Sequence, residues 1–210
     1  MCTRSGFLGY GSAIVFQRAT LVIVNRSAID RRLLVENMSV QSLVARIEQV
    51  FPELPLPGLT LRQAQLLDET LDREISQEEW DATGRIDHGV VWKDIEPAVL
   101  IGCDAALSHM SEAGFVYYIP AYMRLALNQL AAVVDPQWES FGSIVFQLTD
   151  RSNYSLARFK RFSDMQIDTV IGFLRQIRAA GGFEGKMAEE ALGAYWETSD
   201  AQQPKVILVS

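Results

Sequence analysis

Cysteine and histidine are scarce in this chain, which has two of each among 210 residues. Cys2 and Cys103 lie far apart, and two isolated thiols do not make a disulfide framework. This favours a reducing compartment, so we expect a cytoplasmic protein. His88 and His109 have no partners at the patterned spacing of a zinc site, which requires three or four ligands. We therefore expect neither a bound metal nor another cofactor.

The chain also has fewer basic than acidic residues and no long apolar run. The chain has 19 basic and 26 acidic residues, a net charge of −7 and a pI of about 4.9. This balance disfavours nucleic acid and anionic membranes as main partners, because both bind a basic face. The longest uncharged run covers only residues 5–17 and contains three glycines, whereas a transmembrane helix needs about 20 apolar residues. We expect no nucleic acid and no membrane among the partners.

Catalytic and nucleotide-binding motifs are missing as well. The chain has no Gly-x-Ser-x-Gly elbow, no phosphate-binding loop and no dinucleotide fingerprint. Cys103 and His109 supply the ingredients of a thiol nucleophile and its base, but the cysteine lies in the apolar segment VLIGCDAAL, where a thiol is usually inert. These absences favour a non-enzymatic binding or accessory protein of the immunity or partner-binding kind. The alternative is a small-ligand binder or an enzyme.

The chain does have an ordinary globular composition, with 49% apolar and 21% charged residues. Residues 1–37 differ from the rest, because they carry a net charge of +3 and β-branched runs (AIVF, TLVIV) typical of short strands. We interpret them as an N-terminal extension, residues 38–198 as a helical domain and residues 199–210 as a tail. A chain that begins at Met38 is expected to fold with nearly unchanged stability.

Capped, amphipathic segments predict a mainly α-helical fold, a single domain of several packed helices with its few short strands in the extension. Ser163 with Gln166 forms a capping box before the strongest helical pattern, and Gly181 is expected to end that helix. Other helical patterns begin after the N-cap residues Ser39, Thr60 and Ser76.

The most aromatic stretch is GFVYYIPAYMRLAL, residues 114–127. Because proline has a fixed φ and no N–H, we predict that Pro120 starts a helix and that residues 115–119 before it are extended or form a tight turn. The main interpretation is an aromatic core around a central helix. The alternative is a pocket in which tyrosines at the helix N-terminus, assisted by backbone N–H groups and a nearby cation, hold a small anion. The candidate binding residues are Tyr117, Tyr118, Tyr122 and Arg124.

Residues 84–93 (GRIDHGVVWK) predict a loop that contains the remaining candidates. An aspartate next to a histidine could act as a base or a metal ligand, but a surface or structural role is the favoured interpretation. The loop also combines charge with a large aromatic side chain, a mixture common at interfaces. Its candidate binding residues are Asp87, His88 and Trp92, and we predict no catalytic residue or metal ligand.

Four segments occur in a characteristic order and spacing: WKDI at 92–95, FVYYIPAYM at 115–123, RFSDMQIDTVIGFL at 161–174 and ALGAYW at 191–196. The tyrosine–proline–tyrosine segment is the most specific of them. Together they resemble the bacterial domain-of-unknown-function family DUF6714, from about Met38 to Trp196. The resemblance implies no activity and no catalytic residues, because the family has none established. It also places residues 1–37 outside the domain.

Overall fold

The structure is a computed structural model, which describes residues 38–51, 53, 58–71, 73–132, 139–198 and 201. Within these ranges the chain is helical and forms no strand, which confirms the mainly α prediction. The strands predicted in the extension lie outside the described residues. The helices are α1 (Val40–Val50), α2 (Leu61–Glu69), α3 (Gln77–Ile86), α4 (Pro97–Gly102), α5 (Ala106–His109), α6 (Glu112–Ala131), α7 (Glu139–Thr149), α8 (Asn153–Phe159), α9 (Asp164–Ala180) and α10 (Gly182–Ala191), with a 3-10 turn at Trp92–Asp94 and a π-helical turn at Leu192–Trp196.

The predicted helix ends are confirmed where a polar cap specified them. Ser163 and Gln166 form the expected capping box, and Gly181 ends α9 with a φ of 82°, a conformation that suits glycine. Other predicted N-caps each accept a hydrogen bond from a backbone N–H of the following helix: Ser39, Thr60 and Ser76.

The predicted start of the central helix at Pro120 is wrong, and so is the extended structure or tight turn predicted for residues 115–119, which are helical. α6 begins after Ser111, whose hydroxyl accepts the N–H of Gly114 at 3.3 Å, and Pro120 lies inside it. An internal proline costs a helix about 3 kcal/mol. Residues 114–123 are all buried, so packing on every side of this helix outweighs that cost.

α6 lies at the centre of the core and packs against α1, α7, α8 and the 3-10 turn. The expected burial of Tyr118, Ile119, Met123 and Leu127 is confirmed, since each is at most 1% exposed. An aromatic cluster joins α6 to the C-terminal helices, with ring centroids 6.2 Å apart between Phe115 and Phe159 and 4.7 Å apart between Phe159 and Trp196. The aromatic core around a central helix is therefore confirmed.

α9 and α10 pack closely at Gly185, which lies within α10. A Cβ atom at Gly185 would lie 3.2 Å from the carbonyl oxygen of Arg178, so a side chain at this position would push the two helices apart. Among the described helices, none is long and apolar enough to cross a membrane.

α2 packs against both α3 and α5 beside the central helix. Gln63 of α2 donates its side-chain amide to the carbonyl oxygen of Trp80 in α3, at 3.0 Å. The segment after α3 then passes over α6 through the 3-10 turn and into α4, and it contacts α6 at both. This arrangement brings the N-terminus of α2, the C-terminus of α3 and the 3-10 turn to one side of α6.

Candidate functional site

Most of the polar atoms in the tyrosine–proline–tyrosine segment hold a neighbouring backbone. Tyr117 donates its hydroxyl to the carbonyl oxygen of Val90 at 3.3 Å, and Tyr122 donates its hydroxyl to the carbonyl oxygen of Cys103. Both acceptors belong to the stretch between α3 and α5. These two tyrosines therefore fix the path of that stretch over the central helix, and their hydroxyls are already paired.

Arg124 has a similar structural role one turn further along α6. It donates to the carbonyl oxygen of Lys93 and forms an ion pair with Glu48 of α1, with 3.3 Å between nitrogen and oxygen. Its guanidinium also lies 5.5 Å from the ring centroid of Trp92, close enough for a cation–π interaction. The arginine thus ties α1 and the 3-10 turn to the central helix.

Trp92 is completely buried, with none of its surface exposed. It starts the 3-10 turn and packs into the core beneath the guanidinium of Arg124. The prediction of a loop at residues 84–93 holds only from Asp87 onward, since Gly84 to Ile86 complete α3. Trp92 is therefore a packing residue, and its side chain is not available to a partner at the surface.

Tyr118 differs from the other two tyrosines. Its side chain is 1% exposed, yet its hydroxyl makes no hydrogen bond of ordinary geometry with the described residues. Its ring packs edge-on against Tyr117, with 4.8 Å between centroids. Burial raises the pKa of Tyr118 above its usual value, and the charge of Asp87 adds to the rise, against a backbone N–H of Leu61 that lowers it. The hydroxyl is therefore neutral at physiological pH.

Tyr118 lines a cavity of about 290 Å³ on this side of the protein. The apolar part of the lining comes from α2, from the segment around the 3-10 turn and from α4. Its members are Leu61, Val90, Ile95 and Val99, together with Ile86 at the end of α3. Leu61 and Ile95 are buried, whereas Ile86 is 60% exposed. The cavity therefore has an apolar wall and an open side.

Charged side chains complete the lining, and they are mostly acidic. One guanidinium, from Arg62, is present with three carboxylates, from Asp87, Asp94 and Glu96. Asp94 and Glu96 are exposed, and neither side chain has a hydrogen bond or ion pair in the part of the chain that the structure describes. The cavity thus combines a buried phenol, an apolar wall and an excess of negative charge.

Asp87 occupies the N-terminus of α2. Its carboxylate accepts the backbone N–H of Arg62 at 2.9 Å and contacts the Nε of the same residue at 3.2 Å. A negative charge here interacts favourably with the free N–H groups and dipole of a helix N-terminus. Asp87 therefore caps α2 from outside, in addition to lining the cavity.

The two histidines do not join the cavity. His88 is exposed, does not line the cavity and makes no side-chain hydrogen bond to the described residues. His109 lies 3.0 Å from a carboxylate oxygen of Asp68. Of the residues that the sequence singled out, only Asp87 and Tyr118 line the cavity, because Tyr117, Trp92, Tyr122 and Arg124 support the segments around it.

The candidate thiol nucleophile is unsuited to catalysis. Cys103 is 4% exposed, and burial raises the pKa of its thiol to about 11, so the thiolate is scarce near neutral pH. Across the described ranges, no group of three or more histidine, cysteine, aspartate or glutamate side chains is arranged to hold a metal ion.

Sequence patterns did not reveal Arg62, Asp94, Glu96 or Val99 as lining residues. Nothing local marks them, since they come together only when α2 and α4 pack on the same side of α6. A second, more open cavity of about 450 Å³ lies between α1, α4 and α6. Its lining includes Arg124 and Glu48, whose charges already neutralise one another.

Comparison with known proteins gives one match. The family described as a family of unknown function, DUF6714, matches residues 39–200. No curated protein and no solved structure matches the chain. The match begins at Ser39, the N-cap of α1, and it includes every described element of the fold.

Proposed function

Because the chain belongs to the DUF6714 family, whose function is unknown, we propose a role from its own geometry: it is a non-enzymatic protein that binds a small molecule in the Tyr118 cavity. By this name we mean the cavity of about 290 Å³ between α2, the end of α3, the 3-10 turn and α4. The scarcity of cysteine supports a cytoplasmic location for this role.

The observation that carries the proposal is the buried hydroxyl of Tyr118, whose O–H has no acceptor among the described residues. A buried hydroxyl without a partner costs about 1–3 kcal/mol, so native proteins seldom keep one without a reason. Tyr117 and Tyr122 on the same helix both have backbone acceptors. The backbone N–H of Leu61 already acts on the oxygen of Tyr118, so a ligand in the cavity would have to supply an acceptor for its O–H.

The dimensions and lining of the cavity also suit a small ligand. Ligand pockets typically enclose about 300–1,000 Å³ with mainly apolar walls and a few convergent polar groups. At about 290 Å³, this cavity is just below that range and suits only a small ligand. Its walls are held by the hydrogen bonds from Tyr117 and Arg124 to the segment around the 3-10 turn, so the cavity is formed before a ligand arrives.

The same groups explain why we favour binding over catalysis. Asp87 is the candidate general base in the lining. Its carboxylate already accepts the backbone N–H of Arg62 at the N-terminus of α2 and contacts the side chain of the same residue. Tyr118 is held in its neutral form by burial, which raises its pKa. A general acid or base works best with a pKa near the working pH, so neither group is tuned for proton transfer.

Filling the cavity tests the proposal. A Val99→Trp substitution places a large side chain in the cavity from α4, and Ile101→Trp adds the same side chain two residues later at an exposed position outside the lining. Each protein is incubated with a small-molecule cell extract and washed, and retained compounds are identified by mass spectrometry. We expect compounds retained by the native protein and the Ile101 variant but not by the Val99 variant. Equal retention by a folded Val99 variant, or no retention at all, would contradict the proposal.

A second candidate function is partner binding at the open side of the same cavity. Ile86 is 60% exposed there, and two exposed carboxylates, Asp94 and Glu96, lie in the same lining. An exposed apolar side chain bordered by charge is typical of an interface. Pull-downs with the native protein, Ile86→Ser and the control Phe183→Ser, which changes an exposed side chain elsewhere, test it. A partner lost only with Ile86→Ser supports this function, and unchanged capture contradicts it.

A further inference from the structure

We propose that the ligand of the Tyr118 cavity is an uncharged organic compound, a small apolar body with a carbonyl oxygen that accepts the hydroxyl of Tyr118. This proposal rests on the proposed function and adds the chemical class of the ligand. It follows from three features of the lining: a buried donor that lacks an acceptor, apolar side chains in the same wall, and an excess of carboxylates that disfavours an anion.

The hydroxyl of Tyr118 offers a ligand its proton rather than its oxygen. The oxygen is already acted on by the backbone N–H of Leu61. Leu61 is the first residue of α2, so its N–H has no partner within the helix. Because hydrogen bonds in a chain polarise one another, a hydroxyl that accepts this N–H becomes a better donor. The partner that Tyr118 lacks is therefore an acceptor.

Neither the protein nor the solvent supplies this acceptor. Among the described residues none accepts the proton of Tyr118, and its oxygen has almost no surface open to water. A hydrogen-bonded ligand oxygen lies about 2.5–3.0 Å from the hydroxyl oxygen. It therefore has to lie directly against the cavity wall, held there by the contacts of the ligand's apolar body.

The wall favours an acceptor that carries no proton of its own. Tyr118 is the one buried polar side chain among the lining residues that the structure describes, and the other buried members, Leu61 and Ile95, are apolar. A ligand hydroxyl or amine placed beside them would leave its own O–H or N–H without a partner, which is costly. A carbonyl oxygen accepts a hydrogen bond and brings no donor, so it matches this wall.

Charged ligands match the cavity less well. The lining has three carboxylates and one guanidinium, so it repels an anion, and Asp87 already accepts the N–H of Arg62 at the N-terminus of α2. A cation would meet the proton of Tyr118 at the buried wall. The carboxylates of Asp94 and Glu96 are exposed, so water and salt screen their attraction for it. An uncharged ligand meets neither difficulty.

Four probes of nearly equal shape separate these ligand classes. Acetophenone presents a carbonyl oxygen, α-methylstyrene has a methylene group in place of that oxygen, benzoate is an anion and benzamidinium is a cation. Their dissociation constants for the native protein are measured by NMR titration at neutral pH. We expect acetophenone to bind more tightly than either charged probe. Tightest binding by benzoate or by benzamidinium would show that the cavity selects a charge, and the carbonyl proposal would be overturned.

The Tyr118→Phe variant tests the hydrogen bond itself. It should weaken the binding of acetophenone about fivefold, the contribution of one neutral hydrogen bond, and leave that of α-methylstyrene unchanged. The control Tyr122→Phe removes a hydroxyl from the same helix outside the lining and should change neither affinity. The proposal fails if Tyr118→Phe affects both probes equally, if it leaves acetophenone unaffected, or if the control weakens acetophenone binding as much.

A spectroscopic measurement locates the contact. In protein labelled with an NMR-active carbon at tyrosine Cζ, the resonance of Tyr118 is identified by its absence from the spectrum of Tyr118→Phe. The chemical shift of this carbon responds to the hydrogen bonding of the hydroxyl. Acetophenone should therefore move it further than α-methylstyrene does, and equal shifts with the two probes would contradict the proposal.

The outcomes also separate this proposal from the proposed function. If acetophenone and α-methylstyrene both bind, Val99→Trp abolishes both and Tyr118→Phe changes neither, the cavity binds ligands without using the hydroxyl. The carbonyl proposal then fails and the proposed function stands. If no probe binds at millimolar concentration, or if Val99→Trp changes nothing, both proposals are overturned.

Discussion

Two buried polar side chains, Arg158 and Tyr118, lie in contrasting surroundings on the described part of the protein. Both are at most 1% exposed, and both lie against aromatic rings. The terminal nitrogens of Arg158 donate to three acceptors, whereas the hydroxyl of Tyr118 has no hydrogen bond of ordinary geometry with the described residues, and its side chain lines a cavity. The protein thus supplies partners for the end of one side chain but not for the end of the other.

Arg158 links three helices through its guanidinium. It donates to the carbonyl oxygen of Leu107 at 2.8 Å, to the side-chain oxygen of Gln147 at 3.2 Å and to the hydroxyl of Ser155 at 2.8 Å. Ser155 in turn donates to a carboxylate oxygen of Asp150 at 2.6 Å. The buried charge is thus connected to a carboxylate through one hydroxyl, and we name these five residues the Arg158 cluster.

The rings around the guanidinium complete its environment. Its carbon lies 4.4 Å from the ring centroid of Phe115 and 4.3 Å from that of Tyr154, which places the charge between two aromatic faces. No comparable cation or acceptor reaches Tyr118 from the described residues. The terminal nitrogens of Arg158 all have acceptors, but its Nε has none among the described residues, and neither has the indole nitrogen of Trp92. The hydroxyl of Tyr118 is therefore one of several buried polar atoms without a partner, and it differs from the others named here because its side chain lines a cavity.

The largest expected effect is the loss of the Arg158 guanidinium. Arg158→Met keeps most of the side-chain volume but leaves three buried acceptors without their donor, so we expect a loss of about 3 kcal/mol in the free energy of unfolding. Chemical denaturation of the native protein and the variant measures it. The control Arg151→Met changes an exposed arginine and should cost less than about 0.5 kcal/mol. A stable Arg158 variant would mean that the cluster is not what holds these helices together.

The carboxylate of the Arg158 cluster should make stability depend on pH. Hydrogen bonds from Ser155 and Ser152 lower the pKa of Asp150 below its ordinary value of 3.8. A lowered folded pKa means that the stabilisation is present above the unfolded value and is lost as pH falls through the folded one. Asp150→Asn should therefore cost about 1 kcal/mol at neutral pH, and the difference from the native protein should vanish in acid.

Denaturation at several pH values between neutral and strongly acidic measures this difference. Glu190→Gln, which changes an exposed carboxylate on α10, is the control and should show no such convergence. If the cost of Asp150→Asn were the same at every pH, the ionised carboxylate would not be the stabilising form. Its charge, connected to Arg158 through Ser155, would then not contribute to the free energy of unfolding.

The sequence predicted the parts of this fold that local chemistry decides. The capping box of Ser163 and Gln166, and the stop at Gly181, are readable because their hydrogen bonds and φ values involve neighbours in the chain. The prediction at Pro120 was wrong because proline locally disfavours a helix interior, whereas the packing of the buried residues 114–123 favours a continuous helix. Ser111, followed by Glu112, is an ordinary N-cap signal and would have located the true start of α6.

The candidate site was predictable only in part, because its residues are distant in sequence. Asp87 and Tyr118 were both singled out, and they do meet in one cavity. Arg62 and Val99 were missed, since no local pattern says which side of α2 or α4 will face the central helix. The Arg158 cluster was missed for the same reason: its acceptors Leu107 and Gln147 come from other helices.

The smallest expected effect concerns Tyr118 itself and sharpens the comparison most. If its hydroxyl has no partner, Tyr118→Phe should change the free energy of unfolding by less than about 0.5 kcal/mol, or even stabilise the free protein.

Tyr122→Phe is the matched control on the same helix. It removes a hydroxyl that donates to Cys103, so it should cost about 1 to 2 kcal/mol. Both are measured by chemical denaturation without ligand. A loss of stability in Tyr118→Phe as large as that in Tyr122→Phe would show that the hydroxyl is already bonded within the protein, and the contrast with Arg158 would disappear.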